Sequence, residues 1–132
     1  MIRAFIAILS GLIAGMAAIF LGLMVLSGLY PNPEYLDPMD ADKMNLFIKT
    51  LPDNAFIIKA LTHIIACFAA GLVGALISRP FKIQSGIIAA ILIYILVIYR
   101  DFRFIYPTAY VVSDLALCAI VGFAAVMIGS NR

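Results

Sequence analysis

The chain has 132 residues, 65% of them hydrophobic and 12% charged, with a formal net charge of +2 and a mean hydropathy of +1.13. A soluble domain carries about a quarter charged residues, so this composition excludes a water-covered globule. The small charge, with no basic cluster, excludes a nucleic-acid footprint.

Crossing hydrocarbon about 30 Å thick takes roughly 20 apolar residues as a helix, and four stretches qualify. The first runs from Ala4 to Leu29 without a charge. It exceeds the roughly 7 to 15 residues of a signal-peptide apolar region and is expected to be retained. Gly11, Gly15, Ala18 and Gly22 give it a small-residue seam with one G-x-x-x-G step, the kind that brings helices close in lipid.

A polar segment from Tyr30 to Asp53 follows. Pro31-Asn32-Pro33-Glu34 reads as extended, because proline keeps the residue before it out of the helical region. Asp37 as N-cap, Pro38 at the first position and Asp40 near the positive dipole end predict a short helix over about residues 38–51. Met44, Phe47, Ile48 and Leu51 form its apolar stripe. Such a helix anchors in the interface or caps the bundle mouth, with a gate or substrate lid as the alternative.

The second span covers about Ala55 to Ser78, with Lys59 placed to snorkel into the headgroups. The third, Ile83 to Tyr99, is bulky and aliphatic from Ile87 to Ile98 and is expected to meet more lipid. The fourth runs from about Pro107 to Gly129, with Pro107 in the first turn. The predicted fold is therefore all-α: one transmembrane domain over residues 1–132, a four-helix bundle with an amphipathic helix between spans one and two.

Four spans put both termini on one side. Arg3, Arg79, Lys82 and Arg132 lie there, against Lys43, Lys49, Lys59, Arg100 and Arg103 opposite. The short basic connection Arg79-Pro80-Phe81-Lys82 favours cytoplasmic termini. Tyr30, Tyr35, Tyr99, Tyr106 and Tyr110 would then form an outer aromatic belt.

Spans two and four share a pattern. Thr62-His63-x-x-x-Cys67-x-x-x-Gly71 matches Ser113-Asp114-x-x-x-Cys118-x-x-x-Gly122, and Gly74 and Ser78 answer Ala125 and Gly129. Ser10-Gly11 and Ser85-Gly86 match more weakly in the other two spans. Either two helical hairpins were duplicated, related by a pseudo-two-fold axis along the membrane normal, or apolar segments coincide by composition. The spacing puts His63, Cys67, Gly71 and Gly74 on one helix face, and Asp114, Cys118 and Gly122 on another.

An ionised carboxylate in hydrocarbon costs about 2.5 to 3.5 kcal/mol even on the lenient insertion scale, so Asp114 needs a partner or a proton. His63 lies at similar depth, about 10 to 12 Å below the outer helix end by the rise per residue. The candidate centre is therefore His63 and Asp114, with Thr62 and Ser113 beside them. It reads as a structural hydrogen-bonded pair, as a proton relay, or as a zinc site using His63, Cys67, Asp114 and Cys118. A Cys67–Cys118 disulfide is also conceivable across a close seam. His63 is the sole histidine, which argues against a haem; no phosphate loop or catalytic triad is present. No cofactor and no enzymatic activity are expected.

Pro31-x-Pro33-Glu34-x-x-Asp37, the histidine of the second span, the closely spaced glycines and Asp114 of the fourth resemble a group of small four-span bacterial membrane proteins with no assigned activity. The resemblance covers roughly Gly22 to Asp114 and departs from that pattern at Thr62 and Ile64-Ile65-Ala66. It implies an architecture and a bacterial inner membrane, and no reaction. The leading expectation is a non-enzymatic packing or interaction subunit. Its partners are the lipid bilayer and either further copies of itself or a larger membrane complex, with no nucleic acid. The alternative is a small oligomeric transporter or proton-coupled carrier centred on His63 and Asp114.

Overall fold

The computed structural model describes residues 2–31 and 39–132. Five helices follow in order: α1 (Ile2–Leu29), α2 (Ala41–Thr50), α3 (Asp53–Ile77), α4 (Lys82–Arg103) and α5 (Thr108–Ser130). All but α2 are long and apolar enough to cross a membrane, so the chain is an all-α integral membrane protein.

The short helix begins later than its sequence suggests. Asp40, in extended conformation, caps it by accepting a hydrogen bond from the Lys43 amide at 3.2 Å, so α2 starts at Ala41; Asp37 and Pro38 lie outside the described residues. Thr50 Oγ1 donates to the Phe47 carbonyl at 2.6 Å, and Pro52 leads directly into α3 as its N-cap. Pro107 likewise stands at the N-cap of α5, one residue before the helix. Helix α4 continues one turn beyond Tyr99, which brings Arg100 and Asp101 into the span.

The central helix is α3, which packs against α1, α4 and α5. Helix α4 also touches α1 and α5, whereas α1 and α5 do not meet among the described residues. A two-fold axis relating the α1–α3 hairpin to the α4–α5 hairpin would make the α3–α4 contact equivalent to an α1–α5 contact. The bundle therefore lacks the pseudo-two-fold symmetry that the duplication reading of the shared pattern implies. The matched register survives locally, along the seam where α3 and α5 run parallel. There, a methyl group added at Gly71 would stand 2.9 Å from the Gly122 carbonyl, and one at Gly129 would stand 2.9 Å from Ala75 Cβ.

Helix α4 is more enclosed than an aliphatic span suggests. Ser85, Gly86, Ala89, Ile93, Val97 and Asp101 are buried along one stripe, and Ile93 and Val97 join Ile19, Ala66, Cys67, Ala70 and Cys118 in the core. The least buried span is α1. It nevertheless approaches α3 and α4 closely: an added Cβ at Gly11 would lie 2.7 Å from the Ala70 carbonyl, and one at Gly15 2.7 Å from Ile93 Cγ1. At Gly22 it would overlap the Thr62 side chain. Dispersion across such close seams replaces burial from water as the force that holds helices together in lipid.

Candidate functional site

Helices α3, α4 and α5 converge on three ionisable side chains. His63, Asp101 and Asp114 are all 0–1% exposed. His63 Nδ1 and Asp114 Oδ2 are 2.7 Å apart, a short charge-assisted hydrogen-bond distance. The same nitrogen stands 3.8 Å from Asp101 Oδ1. One proton lies in the shorter contact, on the imidazole or on the carboxyl according to tautomer. Asp114 Oδ1 also accepts from the Cys118 thiol at 3.6 Å, and Tyr110 donates its phenol proton to Asp101 Oδ1 at 3.3 Å.

Two atoms of this group stay without a partner among the described residues: His63 Nε2 and Asp101 Oδ2, both buried. An unmet buried polar atom costs on the order of 1 to 3 kcal/mol, more when charged. A pair serving only to fix helix register would not need a second carboxyl beside it.

The other anticipated members fall elsewhere. Thr62 Oγ1 donates to the Ile58 carbonyl of its own helix at 2.9 Å, and its side chain sits against Gly22 of α1. Ser113 faces outward and is exposed, because it is one residue, about 100°, off the buried stripe of α5. Cys67 and Cys118 are buried free thiols, so no disulfide bridges the seam. In the loop motif, Pro31 is exposed, and Pro33, Glu34 and Asp37 lie outside the described residues.

The metal reading changes its donor set. The group able to converge on one ion is His63, Asp101 and Asp114, whose donor atoms lie within 4.8 Å of one another, rather than the mixed set with two cysteines. Ligands on tetrahedral zinc stand about 3.3 Å apart at bond lengths near 2 Å. The 2.7 Å between His63 and Asp114 is instead the geometry of a shared proton.

Above this centre, toward α2, lies a second polar layer. Lys59 is one helical turn from His63, and Arg100 adjoins Asp101. Lys59 does not reach out to the headgroups as its position suggests: its ammonium turns inward and donates to the Tyr106 hydroxyl. Burial pushes the Tyr106 phenol up to about 12, so it stays neutral at physiological pH. Tyr106 and Tyr110 pack with Phe56 at centroid distances of 6.3 and 5.4 Å; of the tyrosines expected in an aromatic belt, Tyr110 is buried, Tyr30 and Tyr106 are half-buried, Tyr99 is exposed and Tyr35 lies outside the described residues. A cavity of about 200 Å³ lies between α2 and the bundle, and Lys59, Arg100 and Tyr106 are among its lining residues. Helix α2 covers it with Met44, Phe47 and Ile48 and is tied down by the Ile105 amide donating to Asn45 Oδ1 at 2.9 Å.

Asp101 is the residue that reading the sequence misses, since it follows Arg100 at the apparent end of a span. The signal that finds it is the four-residue ridge Ser85, Ala89, Ile93, Val97, Asp101, which winds about 40° per step around the helix and stays buried past Tyr99 because α4 packs against α1, α3 and α5.

Searches against protein-family models, curated proteins and solved structures find no match to this chain.

Proposed function

We propose that this protein is a proton-handling membrane subunit, a small transporter or proton-coupled carrier, whose working group is His63, Asp101 and Asp114. The observation that carries this reading is the second buried carboxyl. Asp101 Oδ1 stands 3.8 Å from the His63 nitrogen that Asp114 holds at 2.7 Å, while Asp101 Oδ2 has no partner among the described residues. Two ionised carboxylates side by side in a low-dielectric interior repel strongly, so one site is held by a proton. The imidazole, whose Nδ1 faces both carboxyls, gives that proton a second seat. Ionisable groups within a span mark proton or substrate pathways by default.

The centre lies close to one side only. Toward α2 the cavity stands one helical turn away, while toward the termini small residues close the bundle. The centre itself is closed, and the cavity toward α2 is the approach to it that a carrier would use. We place the chain in a bacterial inner membrane with both termini cytoplasmic, a reading supported by the basic Arg79–Lys82 connection, so that the cavity opens outward. Four helices rarely enclose a complete pathway, which favours a homo-oligomer or a larger complex. A non-enzymatic packing subunit gives Asp101 nothing to do, and the geometry therefore favours the carrier.

The test is proton flux in vesicles reconstituted with the full chain, followed with an entrapped pH-sensitive dye under an imposed potential. Wild type is expected to carry protons, and His63→Gln and Asp101→Asn to lose at least nine-tenths of the flux while accumulating normally. Undiminished flux in both variants would contradict the proposal.

A further inference from the structure

Among the described residues, the cavity under α2 holds two cations without anions. Neither Lys59 nor Arg100 has a carboxylate within 4.0 Å among the described residues, and Arg100 Nε is buried without an acceptor. Lys59 spends one donor on the neutral Tyr106 phenol. The rest of the lining is mostly apolar, with Leu23 of α1 and Met44 and Phe47 of α2 facing the two charges. The Arg100 guanidinium lines the cavity, and a guanidinium can hold a carboxylate through two parallel hydrogen bonds. The volume, about 200 Å³, is roughly that of six or seven liquid waters at about 30 Å³ each, so the fit is to a small molecule.

We propose that this cavity binds the carboxylate of a small amphiphilic organic acid, and that each bound anion is matched by one proton on the His63–Asp101–Asp114 group. The inference rests on the proton-handling reading and names the substrate class for it. Charge neutrality supplies the coupling. With one proton held on the triad and its other carboxyl ionised, the charges of Lys59, Arg100 and the triad sum to +1, so a bound anion brings this low-dielectric site to neutrality. Loss of that proton would leave one uncompensated negative charge beside the anion. The remaining titratable groups around the triad are Cys67 of α3, Tyr94 of α4, Tyr106 of the connection, and Tyr110 and Cys118 of α5, with Tyr30 lining the cavity and Arg103 at the end of α4. Apart from that arginine these are thiols and phenols, so the exchange is assigned to the carboxyls and the imidazole. By linkage, anion affinity falls as pH rises, approaching roughly tenfold per pH unit for one coupled proton.

The probe is hexanoate, titrated calorimetrically into the full-length protein in nanodiscs of zwitterionic lipid between about pH 6 and 8. An alkyl carboxyl, titrating much as Glu does near about 4.3, stays ionised there. Saturable binding that weakens with rising pH is expected. Arg100→Gln removes it, and Arg100→Lys weakens it at least tenfold, since a point charge replaces the guanidinium. Asp101→Asn retains binding but flattens its pH dependence, because one negative charge is already gone. Inorganic phosphate, lacking an apolar body, binds at least tenfold more weakly than hexanoate. Absence of hexanoate binding, in protein whose protonated-carboxyl infrared band still titrates, overturns the anion site and leaves the proton centre standing. Binding independent of pH in wild type overturns the coupling. Equal binding of phosphate overturns the amphiphile, and loss of hexanoate binding in nanodiscs of anionic lipid assigns the cavity to a lipid headgroup instead.

Discussion

The two ends of the bundle are built on opposite principles, although the same helices form both. On the terminal side of Cys67 and Cys118, side chains are almost removed: Gly11, Gly74, Gly86 and Gly129 let backbones approach until an added methyl group would meet atoms at 2.7 to 3.1 Å. On the α2 side the helices carry His63, Asp101, Asp114, Lys59, Arg100 and Tyr110, and enclose a cavity. Lipid rewards only close contact and met hydrogen bonds, so the first half is the economical solution. Both halves leave buried polar atoms without a partner among the described residues, the Ser78 and Ser85 hydroxyls in the first and His63 Nε2, Arg100 Nε and Asp101 Oδ2 in the second. Only the second half adds buried ionisable groups, which cost more to remove from water than a hydroxyl does.

The comparison breaks most readily at the triad. Replacing His63 alone by Leu strands two carboxyls in hydrocarbon and should cost about 3 to 5 kcal/mol, as breaking a buried ion pair does. Replacing His63, Asp101 and Asp114 together by Leu should recover most of that loss, because an apolar group of similar volume is as good or better in such a place. Steric-trapping unfolding in bicelles measures both. A triple variant as unstable as the single one would mean that the polar half is also a structural device.

The terminal half gives the next largest effect. Gly11→Ala drives a methyl group into the Ala70 carbonyl and Ala89 and should destabilise by about 1 to 3 kcal/mol. Gly122→Ala meets nothing closer than 3.6 Å. It should be neutral or stabilising by up to about 1 kcal/mol through helix propensity. The same unfolding assay separates them, and equal losses would show that close backbone approach is not what holds this end.

Smaller effects sharpen the polar half. Asn45→Ala removes the only described side-chain hydrogen bond between α2 and the connection after α4. It should cost no more than about 0.5 to 1.5 kcal/mol and should speed amide exchange at Ile105 several-fold, leaving exchange in α3 unchanged. The Tyr106 phenol titrates near 10.0 when exposed and about 12 in the fold. Between those values the unfolded chain loses its proton first and the folded state holds more, so stability falls as pH rises through that window. Tyr106→Phe should remove that component and leave stability below it with the same pH dependence, as read from unfolding at stepped alkaline pH.

Much of the architecture was legible because lipid imposes it. A charge-free run such as Ala4 to Leu29 has one structural outcome at that length, and the four spans shift by only a few residues at most ends. The meeting of His63 with Asp114 was legible from matched spacing on two parallel helices. What escaped depended on how far a helix continues and which way it turns. Asp101 follows an arginine, and charge at a span end reads as loop until the inward stripe of α4 is followed through it. Ser113 adjoins Asp114 in sequence, yet one helical step sends it outward. Lys59 and Tyr106 turn toward each other rather than to water, a choice set by the cavity between α2 and the bundle, which no local pattern encodes.

The central claim is that His63, Asp101 and Asp114 hold a proton as one unit. Infrared difference spectroscopy of the reconstituted protein, stepped in pH and in H₂O against D₂O, observes that proton on a carboxyl directly. A protonated-carboxyl band should rise as pH falls and be lost or displaced in both Asp101→Asn and Asp114→Asn, with its midpoint moved in His63→Gln. A band indifferent to either aspartate, or no such band across the pH range in which the protein stays folded, would contradict the account.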